Sequence, residues 1–210
     1  MIWKTRYGTG AVFTYRNLID PMIYPLRPRI VRLCSELGAR KVLDIASGTG
    51  AQCRMLGAAG MQATGLDLAE AMIATAERLG GANTEFVLGS ATELPFASSS
   101  FDACLLLLAL HEHQEEDRIV MLAEARRVLR PSGHLVIAEF QEPARRQSLH
   151  VPWQLIRFIE HSAGDEHHAG FVDFVSRGCL SGILHRHGLE PVRELRSHFG
   201  TIRVAAATAR

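Results

Sequence analysis

From residue 41 to residue 140 the chain alternates short apolar runs with helix-patterned stretches, and this rhythm constrains the fold more than any other feature. KVLDI (41–45), QATGLDL (62–68), TEFVLG (84–89), FDACLLLLA (101–109) and HLVIAEF (134–140) read as strands. AQCRMLGAA (51–59), AEAMIATAERLGG (69–81) and EEDRIVMLAEARRVLR (115–130) read as helices, the second stopped by two glycines and the third by Pro131. Ahead of them PRIVRLCSELG (28–38) has helical spacing, with Pro28 in the first turn and Gly38 at the C-terminal cap. Such alternation demands a doubly wound parallel sheet with right-handed crossovers.

After residue 140 the pattern changes. Residues 151–164 and 171–188 read as two helical stretches, and 190–196 with 201–209 as a strand pair turning at Phe199–Gly200. The expected architecture is therefore α/β, a doubly wound and mostly parallel seven-stranded sheet with a C-terminal antiparallel hairpin and a helical lid. One domain covers residues 1–210: a helical cap to residue 40, a core over 41–140, and lid helices with closing strands over 141–210.

Composition narrows the classes of function. Net charge is +1 and charged residues make up 21%, so no electrostatic argument favours nucleic acid or an anionic membrane. Cys34, Cys53, Cys104 and Cys179 lie far apart in apolar surroundings, as reduced buried thiols do. The N-terminus lacks the apolar run of a signal peptide, although it is basic to Arg16 with no acid before Asp20. The longest apolar run, residues 103–110, is too short to span a bilayer. The expectation is a cytoplasmic protein without stable membrane insertion, acting on a small molecule.

In open parallel sheets ligands bind beyond the carboxyl ends of the strands. The turn after the first strand, VLDIASGTGAQC (42–53), is thus a candidate binding loop. Gly48 and Gly50 alone could merely shape a tight turn. A dinucleotide loop would read G-x-G-x-x-G, and here Cys53 occupies the third glycine position. Asp44 would repel a pyrophosphate but suits a ligand with an ammonium group. Asp67, closing the second strand, can accept hydrogen bonds from a ribose diol. S-adenosylmethionine offers an ammonium, a ribose diol, an adenine and no phosphate.

The successive segments VLDIASGTG, GLDLAEAMIATA, GSATELPFASSSFD and LRPSGHLVIAEF, spanning about residues 40–140, resemble the motifs of class I S-adenosylmethionine-dependent methyltransferases. They are most similar to the branch of ubiquinone/menaquinone-type C-methyltransferases. The resemblance implies a Rossmann-like methyltransferase fold with S-adenosylmethionine as cofactor and S-adenosylhomocysteine as product. It places Asp44, Ala46, Gly48 and Gly50 at the methionine end, Asp67 on the ribose, and Leu68 with Met72 on the adenine face. Met72 could also be ordinary core. Ser90 and Ala91 stand where the family often has Asp-Ala, so a neutral hydroxyl replaces the usual acid. Tyr15, in a segment similar to the family's N-terminal cap, is a candidate to reach the cofactor.

Methyl transfer from a sulfonium needs alignment and exclusion of water, with a base only where the acceptor must lose a proton. LHEHQEE (110–116) after the fourth strand and Glu139 at the end of the fifth both sit at the carboxyl edge; His111, followed by Glu112, is the first candidate for a base or orienting group, and it could instead pack near the following helix. His113 reads as surface. His161, Asp165, Glu166, His167 and His168 are metal-ligand types, but sequence-adjacent histidines seldom meet one ion and no zinc-like cysteine spacing exists. No metal is assigned, and the segment reads as a polar connection in the lid where His167 or His168 can touch substrate. An apolar or aromatic acceptor is expected. The rivals are an NAD(P)-dependent oxidoreductase and a non-catalytic cofactor-binding protein of the same fold.

Overall fold

The computed structural model describes residues 12, 13, 15–142, 151–162 and 164–208, and of Leu18 the backbone alone. The basic start of the chain, residues 143–150 and Ala209 of the expected last strand lie outside the described residues.

The described chain enters through helical turns from Tyr15 to Leu26 and continues into helix α1 (Arg27–Glu36). Alternation follows as expected: β1 (Lys41–Ile45), α2 (Ala51–Ala58), β2 (Gln62–Asp67), α3 (Glu70–Leu79), β3 (Thr84–Leu88), β4 (Phe101–Leu107), α4 (Glu115–Val128) and β5 (Leu129–Phe140). Three helices, α5 (Val151–Ser162), α6 (Asp165–Ser176) and α7 (Cys179–Arg186), precede β6 (Pro191–Ser197) and β7 (Ile202–Thr208). One seven-stranded sheet forms in the order β3-β2-β1-β4-β5-β7-β6. β1 to β5 pair in parallel, and β7 runs antiparallel to both β5 and β6.

The hairpin is inserted rather than simply appended. Its second strand, not its first, joins the parallel sheet. Burial explains the order: Val204, Ala205, Ala206 and Ala207 of β7 are buried between two neighbours. β6 carries Arg193, Glu194 and Arg196, and charged residues suit a sheet edge because they block further pairing. Pairing in register brings Asp44 opposite Gly65 on one side and Leu105 on the other. The carboxyl ends of β1, β2 and β4 therefore lie level and form one platform.

Three boundaries differ from expectation. β5 begins at Leu129, where extended backbone ends α4 two residues before Pro131, and an irregularity between Phe101 and Ala103 lets Leu129 pair with Phe101. The stretch 171–188 is two helices, broken at Gly178 with φ 89°. Residues 165–170, expected as a connection, are the first turns of α6. Helix α5 also buries less than its apolar content implied: Trp153 and Glu160 are inside, while Val151, Leu155 and Phe158 are exposed.

The main core joins both faces of the sheet, with Ile30, Leu56, Leu105, Met121, Val136 and Phe174 fully enclosed. All four cysteines are free and buried, as expected. Burial pushes the Cys34 thiol up to about 12, so it is an inert packing group at neutral pH. Among the described residues no helix is long and apolar enough to cross a membrane.

Candidate functional site

The loop after β1 turns on three left-handed residues in five: Ala46 at φ 60°, Gly48 at 55° and Gly50 at 74°. Glycine is required at two of them by space as well as by φ. A Cβ on Gly50 would sit 2.4 Å from the Phe86 ring, and one on Gly48 would sit 3.2 Å from the Tyr15 ring. Sequence reasoning missed Phe86, because only the tertiary fold brings β3 under the loop.

Two carboxylates flank this loop. Asp67 Oδ2 accepts from the Gly48 N–H at 2.8 Å and Oδ1 accepts from the Ala69 N–H at 2.9 Å. Burial raises its pKa, and those two N–H groups act against the rise. Each oxygen keeps a lone pair for a further donor. Asp44 is buried, and desolvation pushes its pKa up to about 7 while the Arg27 charge pulls the other way. Cys53, which breaks the dinucleotide pattern, donates its thiol to Asp44 Oδ2 at 3.6 Å. The residue that weakened one motif thus supports the carboxylate that the other motif needs.

The N-terminal segment closes over this side. Val12, Ala69 and Met72 form a small apolar cluster with Tyr15 and Ala71 packed on it, so Met72 is part of the cap packing. Leu68 is half-buried beside it. Burial pushes the Tyr15 hydroxyl up to about 12, which keeps it neutral near Arg27 and Asp44. Arg27 itself, not anticipated from sequence, is buried and ion-paired with Asp20. Three buried polar atoms here, Arg27 Nε, Ser47 Oγ and Gln52 Oε1, have no partner among the described residues. Buried polar atoms are normally satisfied, so such a group marks a place where a polar ligand fits. At the end of β3 the Ser90 hydroxyl lies 2.7 Å from Thr92 Oγ1 and accepts from the Thr92 N–H at 3.2 Å. Ala91 is half-buried against the main core.

The second half of the site forms where the lid meets the ends of β4 and β5. His111 is buried on a short turn (Leu110–Glu112) after β4, with its ring 4.6 Å from the Phe140 ring and 6.3 Å from those of Phe171 and Phe174. Its Nδ1 lies 2.9 Å from Glu139 Oε2; an ionised carboxylate only accepts, so Nδ1 carries the hydrogen. Glu139 Oε1 also accepts from the Leu110 N–H at 2.6 Å. Nε2 of His111 faces Glu160 Oε2 at 3.6 Å, and His167 Nε2 reaches the same oxygen at 2.5 Å. Nδ1 of His167 lies 3.7 Å from Glu112 Oε2. Burial alone would lower the His111 pKa, but Glu139 and then Glu160 outweigh it and push it up to about 9. Of the expected lid ligands, His167 alone joins this cluster; Asp165 and Glu166 are exposed, and His161 stacks edge-on with His168 at 4.6 Å. His113 lies apart, half-buried and facing Asp117.

Arg118 locks the lid in place. Its guanidinium is fully buried, donating to Leu110 O at 2.9 Å, Gly170 O at 2.8 Å and Asp173 Oδ2 at 2.7 Å, and it lies 5.3 Å from the Phe174 ring centre. Gly170 allows the close approach: a Cβ there would stand 2.7 Å from Glu112 O. Neither residue was legible as a site element, since a lone arginine on a charged helix reads as surface.

Residues 43–137 match the methyltransferase domain family. A demethylmenaquinone methyltransferase of Thermotoga maritima is 41% identical over 120 residues, 56% of this chain and 51% of that one. A ubiquinone/menaquinone biosynthesis C-methyltransferase of Rubrivivax gelatinosus is 32% identical over 116 residues, 55% of this chain and 45% of that one. The chain thus spans about half the length of these curated relatives. Among solved structures, magnesium protoporphyrin IX methyltransferase from Synechocystis, with bound S-adenosylhomocysteine, superposes with TM-score 0.71 at 16% identity, covering 99% of this chain and 98% of that one. Mitomycin 7-O-methyltransferase superposes with TM-score 0.73 at 17% identity, covering 98% of this chain and 60% of that one. Residues 43–137 are thus similar to the methyltransferase domain family, and the chain shares the seven-stranded fold of these solved methyltransferases.

Proposed function

We propose that this protein transfers a methyl group from S-adenosylmethionine to a small apolar or aromatic acceptor, with a quinone-like ring as the favoured class. The observation that carries the reading is the pair of carboxylates, buried Asp44 and half-buried Asp67, on either side of the left-handed loop. An anionic pyrophosphate would meet Asp44 at close range, whereas an α-ammonium would relieve the desolvation that raises its pKa. The unpartnered Ser47 Oγ and Gln52 Oε1 offer further polar contacts to such a ligand. The cofactor reading is thereby favoured over the nicotinamide one.

When bound, the cofactor supplies an activated sulfonium methyl. This chain's residues supply the rest. Asp67 holds the ribose hydroxyls while its Gly48 hydrogen bond sets the loop. Leu68, Met72 and Ala91 give the adenine an apolar bed, and Ser90 offers a hydroxyl in place of an acid. Tyr15 and Val12 close the methionine side to water. On the acceptor side Phe140, Trp153 and Phe171 form a buried aromatic cluster, edge-on for Phe140–Phe171 with centres 5.9 Å apart and tilted for Trp153–Phe171 at 6.1 Å. A flat apolar acceptor packs against such a cluster. The names of the matched relatives are consistent with a ring of this kind. With its pKa near 9, His111 is protonated at neutral pH, so it orients an acceptor oxygen as a donor and becomes a base only as pH rises.

Calorimetric titration with S-adenosylhomocysteine, with NAD in parallel, tests the reading. The expected result is micromolar binding of S-adenosylhomocysteine alone, weakened about 100-fold or more in Asp67→Ala by loss of charge-assisted hydrogen bonds. Binding of NAD alone would replace the methyltransferase reading with the oxidoreductase one.

A further inference from the structure

We propose that His111, Glu160 and His167 form a site for one divalent transition-metal ion at the seam between lid and sheet. One ligand-type atom from each lies within 4.8 Å of the others, and the first two residues are buried. They come from three separate elements: the turn after β4, α5 and α6. The sequence expectation of no metal rested on a run of adjacent lid residues; the fold selects one of that run and supplies two partners from elsewhere.

Three observations converge on a cation. First, His111 is oriented as a metal-binding histidine is. Its Nδ1–H is held by buried Glu139, itself fixed by the Leu110 N–H, which aims Nε2 at Glu160. A carboxylate behind the non-ligating ring nitrogen sets the tautomer and raises ligand basicity. His167 turns its Nε2 toward Glu160, with Glu112 Oε2 3.7 Å behind Nδ1, a charge contact beyond hydrogen-bond distance.

Second, the charges are lopsided. Glu112, Glu139 and Glu160 surround two imidazoles in a partly or wholly buried volume. Arg118, which donates to the Leu110 carbonyl beside this cluster, spends its other donors on Glu115, Asp173 and the Gly170 carbonyl. Buried negative charge needs a counter-charge.

Third, the donor set is selective. Two imidazole nitrogens and one carboxylate oxygen, with no thiolate, suit Zn²⁺, Fe²⁺, Co²⁺ or Mn²⁺ rather than Mg²⁺ or Ca²⁺. Donors about 2 Å from one ion stand about 3.3 Å apart. The 3.6 Å between His111 Nε2 and Glu160 Oε2 matches that spacing. The 2.5 Å between His167 Nε2 and the same oxygen is a proton-bridged contact that opens by under an ångström when the ion takes the proton's place.

Three protein donors leave a position for water or for an acceptor oxygen. The ion would pin α5 and α6 to the end of β4 and, replacing the proton on His111 Nε2, would itself orient an acceptor oxygen as a Lewis acid.

The test uses whole protein stripped with a chelator, titrated with Zn²⁺ by calorimetry and counted by atomic emission, with Co²⁺ absorption reporting the ligand field. The expected result is one Zn²⁺ per chain. His167→Ala and Glu160→Gln should each weaken it about 100-fold, while His161→Ala leaves it unchanged. These variants carry the test because His111→Ala strips a buried partner from Glu139 and risks the fold. Absence of a stoichiometric ion, or equal loss in His161→Ala, overturns the proposal and leaves protons as the counter-charge. S-adenosylhomocysteine affinity measured on the same stripped protein keeps this outcome separate from that of the cofactor reading.

Discussion

The glycine loop and the lid seam both bury carboxylates, yet they answer that charge in opposite ways. At the loop, Asp44 and Asp67 face backbone N–H groups, a thiol and the more distant Arg27, and both pKa values are raised by burial. At the seam, Glu139 and Glu160 face imidazoles at 2.9 and 2.5 Å. The loop is a receptor whose charge balance is completed by what it binds. The seam meets its carboxylates with imidazoles of its own chain, and that network holds two lid helices against the sheet. The contrast teaches that buried carboxylates at one sheet edge can be divided between recognition and assembly.

The largest expected effect falls on the seam. Arg118→Leu removes a fully buried guanidinium and leaves Asp173 and the Leu110 and Gly170 carbonyls without their partner. Stability should fall by about 3–5 kcal/mol, read from the urea midpoint. S-adenosylhomocysteine affinity of the folded protein should stay within a few-fold. A parallel collapse of affinity would show that loop and seam are one cooperative unit.

A second effect separates the regions by pH in metal-stripped protein. Asp44, raised from 3.8 to about 7, contributes stability that is present below pH 3.8 and lost as pH climbs through 7. His111, raised from 6.5 to about 9, contributes stability that is complete below pH 6.5 and lost as pH climbs through 9. Chemical denaturation across pH 4–10 should show two declines, of about 4 kcal/mol for the lower and about 3 kcal/mol for the upper. Asp44→Asn should erase the lower and His111→Gln the upper; one variant erasing both would break the distinction. The smallest effect belongs to Ser90→Asp, which restores the acid of the resembled family. It should tighten S-adenosylhomocysteine a few-fold, about 1 kcal/mol. No tightening would mean that the Ser90–Thr92 turn holds residue 90 away from the adenine.

Much of the loop region is legible in the sequence, for a physical reason. Asp44, Gly48, Gly50 and Asp67 belong to one strand–turn–helix–strand unit, and parallel pairing of β1 with β2 brings their ends level. Backbone conformation and a two-strand register suffice to assemble it. The seam is different. It joins residues 110–112, 139, 160 and 167–174, whose meeting depends on how three helices settle on the sheet. Helical periodicity turns Asp165 and Glu166 outward and His167 inward, which a list of adjacent polar residues does not reveal.

By itself, then, the sequence determined the alternating frame, the buried thiols and the chemistry of the glycine loop, because each follows from local conformation and apolar periodicity. Only the tertiary structure decided that β7 would insert between β5 and β6. It alone set Phe86 beneath Gly50, buried Arg118 under the lid, and turned two histidines and a glutamate toward one point. Those outcomes depend on competition for buried space and counter-charge between segments distant in the chain, and no single segment encodes who wins.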